Sequence, residues 1–397
     1  MNKLAIPWGA WYGQDKLVLD FPDTWNLTAC RMHGGPDIGD EGIRAALAQP
    51  CGAPPLREYA RGRRSAAILV DDLSRPTPAY RLLPYVLEEL AAAGIEPDAM
   101  TIVFALAAHR PMTRDDMVKK VGLELVQTMR LINHNAYENL EFVGYSSRGI
   151  PIHVNRELMS CEVRLALGMI TPRGSMFGGG AKLLLPGACG HQTIMLTHRH
   201  VHAELRDHIA EAGRMAGLGY VVNALLNEDL GIMGMVAGDP DAAFARGCEL
   251  GKQLYATPMP QRLDVGVFNA FPKDTELVQA PLALVPLHSS AHDPFHDGST
   301  IVICSACPEG LGWHSVMGPG TALAGRPGKP SRRTLLLSPG VNRWDAQAKF
   351  GPAVTHCTGW SQVMDILQEH HGDGTTAGVF PAGAIQMADA GSQGTSR

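Results

Sequence analysis

Ala66-Ala67-Ile68-Leu69-Val70-Asp71-Asp72 decides the fold class, because five apolar residues run without polar alternation and end on two carboxylates. An uninterrupted apolar run of this length suits a strand buried on both faces, as in a parallel sheet. Tyr80 to Gly94 follows, with apolar residues at Leu83, Val86, Leu87, Leu90 and Ala91, and this spacing predicts a helix. Met100 to Phe104 reads as the next strand. Strand, helix, strand is the order of a doubly wound α/β sheet, in which ligands collect at the carboxyl ends of the strands.

A second α/β stretch begins near Leu263, with strands expected at Asp264 to Phe268, Ile301 to Ile303 and Thr334 to Leu337. His202 to Thr257 reads as helix-rich apart from an apolar patch near Tyr220-Val221-Val222, and as a bridge between the halves. The expected organisation is therefore two α/β domains with a cleft between them. Residues 1–257 form the N-terminal domain with the helical bridge, 258–388 the C-terminal domain, and 389–397 a flexible tail.

The 397 residues are 45% hydrophobic and 18% charged, with a net charge of −5, the balance of a soluble enzyme. No basic field is present to hold nucleic acid. The apolar runs fall short of the roughly 18 residues that a membrane span needs, and the N-terminus carries no basic-then-apolar signal pattern. A cytoplasmic protein is expected. The eight cysteines do not make a dense disulfide framework, and Cys304-Ser305-Ala306-Cys307 reads as structural thiols ending a buried strand.

Two segments carry most of the chemistry. Phe177-Gly178-Gly179-Gly180-Ala181-Lys182 precedes Leu183-Leu184-Leu185-Pro186-Gly187, and His198 lies sixteen residues after the lysine. Three glycines remove every Cβ, so backbone N–H groups can approach a phosphate or a flat ring, and a following helix would favour an anion at its N-terminus. The competing reading is a tight connection only. The nucleotide-hydrolase phosphate loop is not met, since Leu183 stands where a hydroxyl is needed. Asp71-Asp72-Leu73-Ser74-Arg75-Pro76-Thr77-Pro78 leaves the first strand with carboxylates, a hydroxyl and a guanidinium, suited to sugar hydroxyls and a phosphate or carboxylate. Its plainer reading is an Asp72–Arg75 ion pair.

His109, in His109-Arg110-Pro111-Met112-Thr113 after the next strand, suits acid–base work near neutral pH, or else caps a helix. Asn133-His134-Asn135-Ala136 is a less specific polar cluster. Thr197-His198-Arg199-His200-Val201-His202 alternates histidines, which suits a metal or a plain surface cluster. His288, His292 and His296 receive no role, because Pro294 interrupts a helix across them.

In order and spacing these segments, with Ser147-Arg148-Gly149-Ile150-Pro151 and Pro272-Lys273-Asp274 followed by Gln279, resemble the nickel-dependent lactate racemase family from about residue 65 to 310. The resemblance implies a nickel-pincer nucleotide, pyridinium-3,5-bisthiocarboxylic acid mononucleotide nickel, in a cleft between two α/β domains. It implies a covalent thioamide link to Lys182, His198 as the protein ligand of nickel, and cofactor contacts from Asp72, Ser74, Gly178, Gly179 and Gly180. His109 is then the acid–base histidine, with Asp72 and Arg75 orienting cofactor and substrate. Arg75, Arg173 and Gln279 would bind the substrate. In the family the hydroxyl of a 2-hydroxy acid loses its proton while hydride passes from C2 to the cofactor and back. The implied partners are a small hydroxy acid and the enzymes that make the cofactor, with no nucleic acid and no membrane.

Two departures touch the substrate side. The family has a second catalytic histidine shortly before the glycine loop, where this chain reads Thr171-Pro172-Arg173-Gly174-Ser175-Met176. It also has a lysine three residues after the glutamine, where this chain reads Ala280-Pro281-Leu282. Arg173 cannot serve as a base but can restore positive charge. Three explanations fit these departures: a different substrate, such as a larger hydroxy acid or sugar acid; a replacement base such as His200 or His134; or a protein that keeps the fold with altered chemistry. The expectation is a racemase or epimerase of a 2-hydroxy acid other than lactate. The alternatives are a non-catalytic or cofactor-free binding protein of the same fold, and a zinc hydrolase built near His198.

Overall fold

A computed structural model describes residues 2–13, 15–173, 176–201, 204–316, 318–321 and 332–389. Two six-stranded sheets organise this mixed α/β chain. In the first, the spatial order is Ile232–Gly238, Tyr220–Leu226, Val163–Met169, Ala66–Asp71, Met100–Ala105 and Arg130–Asn133. All pairs are parallel except the hairpin at one edge. In the second, it is Thr355–Cys357, Arg333–Leu337, Phe295–Cys304, Leu263–Asn269, Thr376–Phe380 and Asn26–Ala29, parallel throughout.

The opening stretch behaves as its composition demands. Every residue of Ala66–Asp71 and of Met100–Ala105 is buried, and helix Ala79–Ala92 buries Leu83, Val86 and Leu90 of the residues the spacing marked, with Leu82 beside them, while Leu87 is half-buried and Ala91 exposed. The strands expected in the later half are Leu263–Asn269, Phe295–Cys304 and Arg333–Leu337.

Two assignments need correction. Residues 202–257 were read as a helix-rich bridge with an apolar patch near Tyr220-Val221-Val222; that patch belongs to Tyr220–Leu226, a fully buried strand that pairs in parallel with Val163–Met169 and turns into the edge strand Ile232–Gly238, so the segment is part of the first sheet and not a bridge. The strand's seven residues carry one side-chain amide, too little polarity for a half-exposed strand or a surface helix. Helices Leu205–Met215 and Pro240–Leu254 flank this hairpin. The beginning of the chain was placed with the first half, yet Asn26–Ala29 pairs with Thr376–Phe380 at the edge of the second sheet. Ile6, Leu19, Phe21 and Trp25 share a core with Val265, Val267 and Val302. Burying those apolar groups outweighs sequence distance.

The eight cysteines are unpaired. Cys304 and Cys307 lie at the buried end of their strand, where desolvation pushes both thiols up, Cys307 to about 12. At neutral pH such groups stay protonated and inert.

No helix among the described residues is long and apolar enough to cross a membrane.

Candidate active site

A cavity of about 510 Å³ opens at the carboxyl ends of the first-sheet strands. Asp72, Arg75, His109, Arg173, Gly178, Gly179, Lys182, His198 and Gln279 all line it, although they come from segments spread over two hundred residues.

At one end His109 is held from behind. Its Nδ1–H donates to Asp72 Oδ2 at 2.6 Å, and Ser74 Oγ lies 3.1 Å from the same nitrogen. That bond places the proton of the neutral ring on Nδ1 and the lone pair on Nε2, the arrangement of a base with a carboxylate orienter. Desolvation alone would raise the Asp72 carboxyl, but His109, Arg75 and Ser74 together hold it below the usual carboxylate range. Ala107 adopts φ +52, an unusual value for a residue with a Cβ, and its N–H is tied to Gly187 O at 2.9 Å. This turn presents His109 to the cavity. The Asp72–Arg75 pairing is replaced, since Arg75 Nη1 donates to Ser74 Oγ at 3.0 Å and to Gln279 Oε1 at 3.3 Å. Ser74, expected at the cofactor, does not line the cavity; its hydroxyl supports the Asp72–His109 pair.

Lys120 underpins this end. It is fully buried, pairs with Asp71 Oδ1 at 2.5 Å, and donates to Asp72 O at 3.0 Å and Arg75 O at 2.9 Å. No local pattern marked it, because a lysine in a polar helix reads as solvated.

The glycine loop is shaped by its surroundings. Gly179 has φ +117, and a Cβ there would meet Ile170 Cδ1 at 2.7 Å and Met169 O at 2.9 Å. No side chain fits. Gly180, expected to serve the cofactor, donates its N–H to Asn223 Oδ1 at 2.8 Å and does not line the cavity. After it comes only a four-residue 3₁₀ turn, Gly180–Leu183, so the anticipated helix N-terminus is absent here.

Lys182 faces a cationic neighbourhood. Desolvation, then Arg173, Arg75 and Arg206, push its amine well below the ordinary lysine range. Lys273, 1% exposed, donates to Thr171 Oγ1 at 2.6 Å and is pushed down by desolvation and then by Arg75, Arg173 and Lys182. Arg173 is lowered to about 10, chiefly by desolvation and then by Arg75, and stays charged at neutral pH. Four basic side chains crowd a site whose nearest carboxylates are already paired. An anionic ligand is what this field selects. Lys273 stood in a recognised motif without a role.

His198 sits on helix His191–His200 and donates Nδ1–H to Ile194 O at 2.8 Å, the tautomer that carries the ring lone pair on Nε2. His134 is elsewhere, as is His200. His134 is 4% exposed, donates Nε2–H to Cys189 O at 2.9 Å and accepts from Asn155 Nδ2 at 3.2 Å. Burial pushes it down to about 4. It is a structural histidine and not a replacement base. His200 is exposed at the helix end, and His202 lies outside the described residues.

His134 supplies a pH prediction. Its folded value of about 4 lies below its ordinary 6.5, so the neutral ring contributes stability that is present above pH 6.5 and is lost as pH falls towards 4. His134→Gln is expected to flatten that acid limb by about 3 kcal/mol, at 1.36 kcal/mol per pKa unit. Urea midpoints between pH 4 and 7 check this, and an unaltered limb would remove His134 as its source.

Two further side chains reach the cavity from the later half, His314 and Lys349. Desolvation, followed by His109, His198, Arg75 and Lys349, pushes His314 down to about 3. Neither residue stands in a motif. Among the described residues no group of three His, Cys, Asp or Glu side chains gathers to hold a metal.

A cavity with a buried amine held well below the ordinary lysine range, a carboxylate-held imidazole and a basic wall suits a cofactor-dependent α/β enzyme. The lactate racemase N-terminal domain model matches residues 12–210, and the chain belongs to the nickel-dependent lactate racemase family of isomerases. The lactate racemase of Lactiplantibacillus plantarum is 27% identical over 290 residues, 68% of this chain and 67% of that protein. That of Thermoanaerobacterium thermosaccharolyticum is 27% identical over 335 residues, 79% and 76% respectively. The lactate racemase apoprotein structure from the latter organism superimposes with a TM-score of 0.74 at 21% identity, covering 98% of this chain and 100% of that one. A Thermotoga maritima protein gives 0.66 at 17%, covering 89% and 99%.

These relatives overturn the expectation of a substrate other than lactate, since both curated proteins are lactate racemases. That expectation rested on two side chains missing at matching positions. It did not count Lys273, His314 and Lys349, which arrive from distant segments. Membership implies a nickel-pincer nucleotide, and the residues fit one: basic side chains for an anionic mononucleotide, an amine held well below the ordinary lysine range, and an imidazole, a ligand type suited to nickel.

Proposed function

We propose that this protein racemises lactate at C2, in a cleft between two α/β units built on the two six-stranded sheets. The observation that carries the reading is the gathering of Lys182, His198 and the Asp72–His109 pair around one cavity. Lys182 would carry the nickel-pincer nucleotide covalently, since a neutral amine is a nucleophile, and His198 Nε2 would bind its nickel. Gly178 and Gly179 let the ring approach the backbone. When bound, that group supplies a reversible hydride acceptor.

The chain supplies the rest. Arg75, aligned by Gln279, meets the lactate carboxylate with its guanidinium fork, while the Arg173 guanidinium adds attraction. His109 Nε2 takes the hydroxyl proton, and Asp72 stabilises the imidazolium that results. The largely apolar wall, including Leu183, Leu185 and Ile194, keeps water from the keto acid.

The test uses protein co-expressed with the pincer-biosynthesis enzymes. Intact-mass and nickel analysis are expected to show one nucleotide-sized adduct per chain and one nickel, and either lactate enantiomer should relax to the racemate. Loaded protein that leaves both enantiomers untouched would sink the proposal.

A further inference from the structure

Racemisation needs the hydrogen on C2 to face the same hydride acceptor in both enantiomers. A base fixed in one place then meets the hydroxyl of only one of them, unless something keeps the oxygen still while the other substituents change places. The keto acid allows this. Turning it half a revolution about its C2–O axis exposes the opposite face and exchanges methyl and carboxylate, while the oxygen stays where it was.

The cavity has a candidate for holding that oxygen. His314 lines it beside His109, with ring centroids 5.2 Å apart at 60°. The two residues form an antiparallel backbone bridge, and Ser315 N–H donates to Ala108 O at 2.8 Å. The two rings are fixed relative to each other. Their tautomers are opposite: His109 donates through Nδ1 to Asp72, whereas His314 Nδ1 accepts from Val316 N–H at 3.3 Å. A neutral His314 therefore carries its proton on Nε2, and a neutral imidazole N–H is a hydrogen-bond donor to a carbonyl oxygen rather than an acid. The wall offers basic side chains on more than one side, Arg75 and Arg173 from the first half, Lys273 and Lys349 from the second. A carboxylate can thus be met in either orientation.

We propose that His314 is an electrophilic residue whose Nε2–H holds the C2 oxygen beside His109, so that one base serves both enantiomers. This rests on the lactate reading above. The O–H proton moves to His109 Nε2 as hydride leaves C2; after the keto acid turns, hydride returns to its other face and the same nitrogen returns the proton to the same oxygen. Proton and hydride both balance over one turnover, and no second base is consumed.

The experiment compares wild type, His314→Leu and His314→Gln as loaded holoproteins, each first verified for adduct, nickel and unfolding temperature. Glutamine can place an N–H near the position of Nε2, and leucine cannot. Leucine is expected to lower kcat about 10²- to 10³-fold, the usual cost of one donor at a charge-bearing oxygen, with KM little changed. Glutamine should recover activity to within about tenfold of wild type on the same reasoning. Infrared spectra of isotope-labelled pyruvate on the protein should show a carbonyl stretch lowered by wild type and the glutamine variant and not by leucine. Glutamine as inactive as leucine, with pyruvate forming from one enantiomer only, would make His314 a second base and overturn the proposal. So would full activity in the leucine variant, or loss of the adduct in both variants. Loaded wild type that racemises neither enantiomer overturns the lactate reading, and the proposal falls with it.

Discussion

Lys182→Ala is expected to leave the chain unmodified in intact-mass spectra and to reduce lactate racemisation to the level of unloaded protein. The amine at this position is pushed well below the ordinary lysine range by desolvation first and then by Arg173, Arg75 and Arg206. A neutral amine attacks an activated carbonyl, and a guanidinium does not, so Lys182→Arg should fail equally. One neighbour makes the test sharper. Lys273 is also buried with a lowered amine, but its Nζ is committed to Thr171 Oγ1 at 2.6 Å. An adduct that persists in Lys182→Ala and maps to Lys273 would reassign the attachment point.

His109→Asn should lower kcat about 10²- to 10⁴-fold, the usual range for a proton-transfer group, while adduct and nickel remain. Asp72→Asn should produce a similar loss by a different route. A side-chain amide can offer its N–H to Nδ1, which moves the ring proton to Nε2 and removes the lone pair that takes the substrate proton. Enantiomer interconversion measured on loaded variants checks both. An unchanged rate in His109→Asn would remove His109 from the mechanism, and an unchanged rate in Asp72→Asn would remove the orienting role of the carboxylate.

Much of this site was legible before any coordinates, because its parts lie at strand ends and in the glycine loop. Asp72, Arg75 and His109 each leave the carboxyl end of a buried strand, and the apolar runs before them are readable by composition alone. The loop was legible for a related reason: Gly179 occupies a backbone conformation and a space that exclude side chains. Other parts misled. His134 and His200 were chosen as replacement bases for their residue type, yet one ring is locked between Cys189 O and Asn155 and the other is exposed at a helix end.

The chain by itself determined which segments become central strands, where the polar turns interrupt them, and that an amine and an imidazole accompany a glycine-lined backbone. Those properties are local, set by side-chain volume, polarity and the lack of a Cβ. Tertiary structure alone decided that Tyr220–Leu226 enters the first sheet, that Asn26–Ala29 joins the second, and that Lys273, His314 and Lys349 reach the same cavity as Lys182. It also decided the protonation of these groups. Desolvation and Coulomb repulsion depend on which charges come within a few ångströms, and for residues separated by a hundred positions that distance exists only after the sheets assemble.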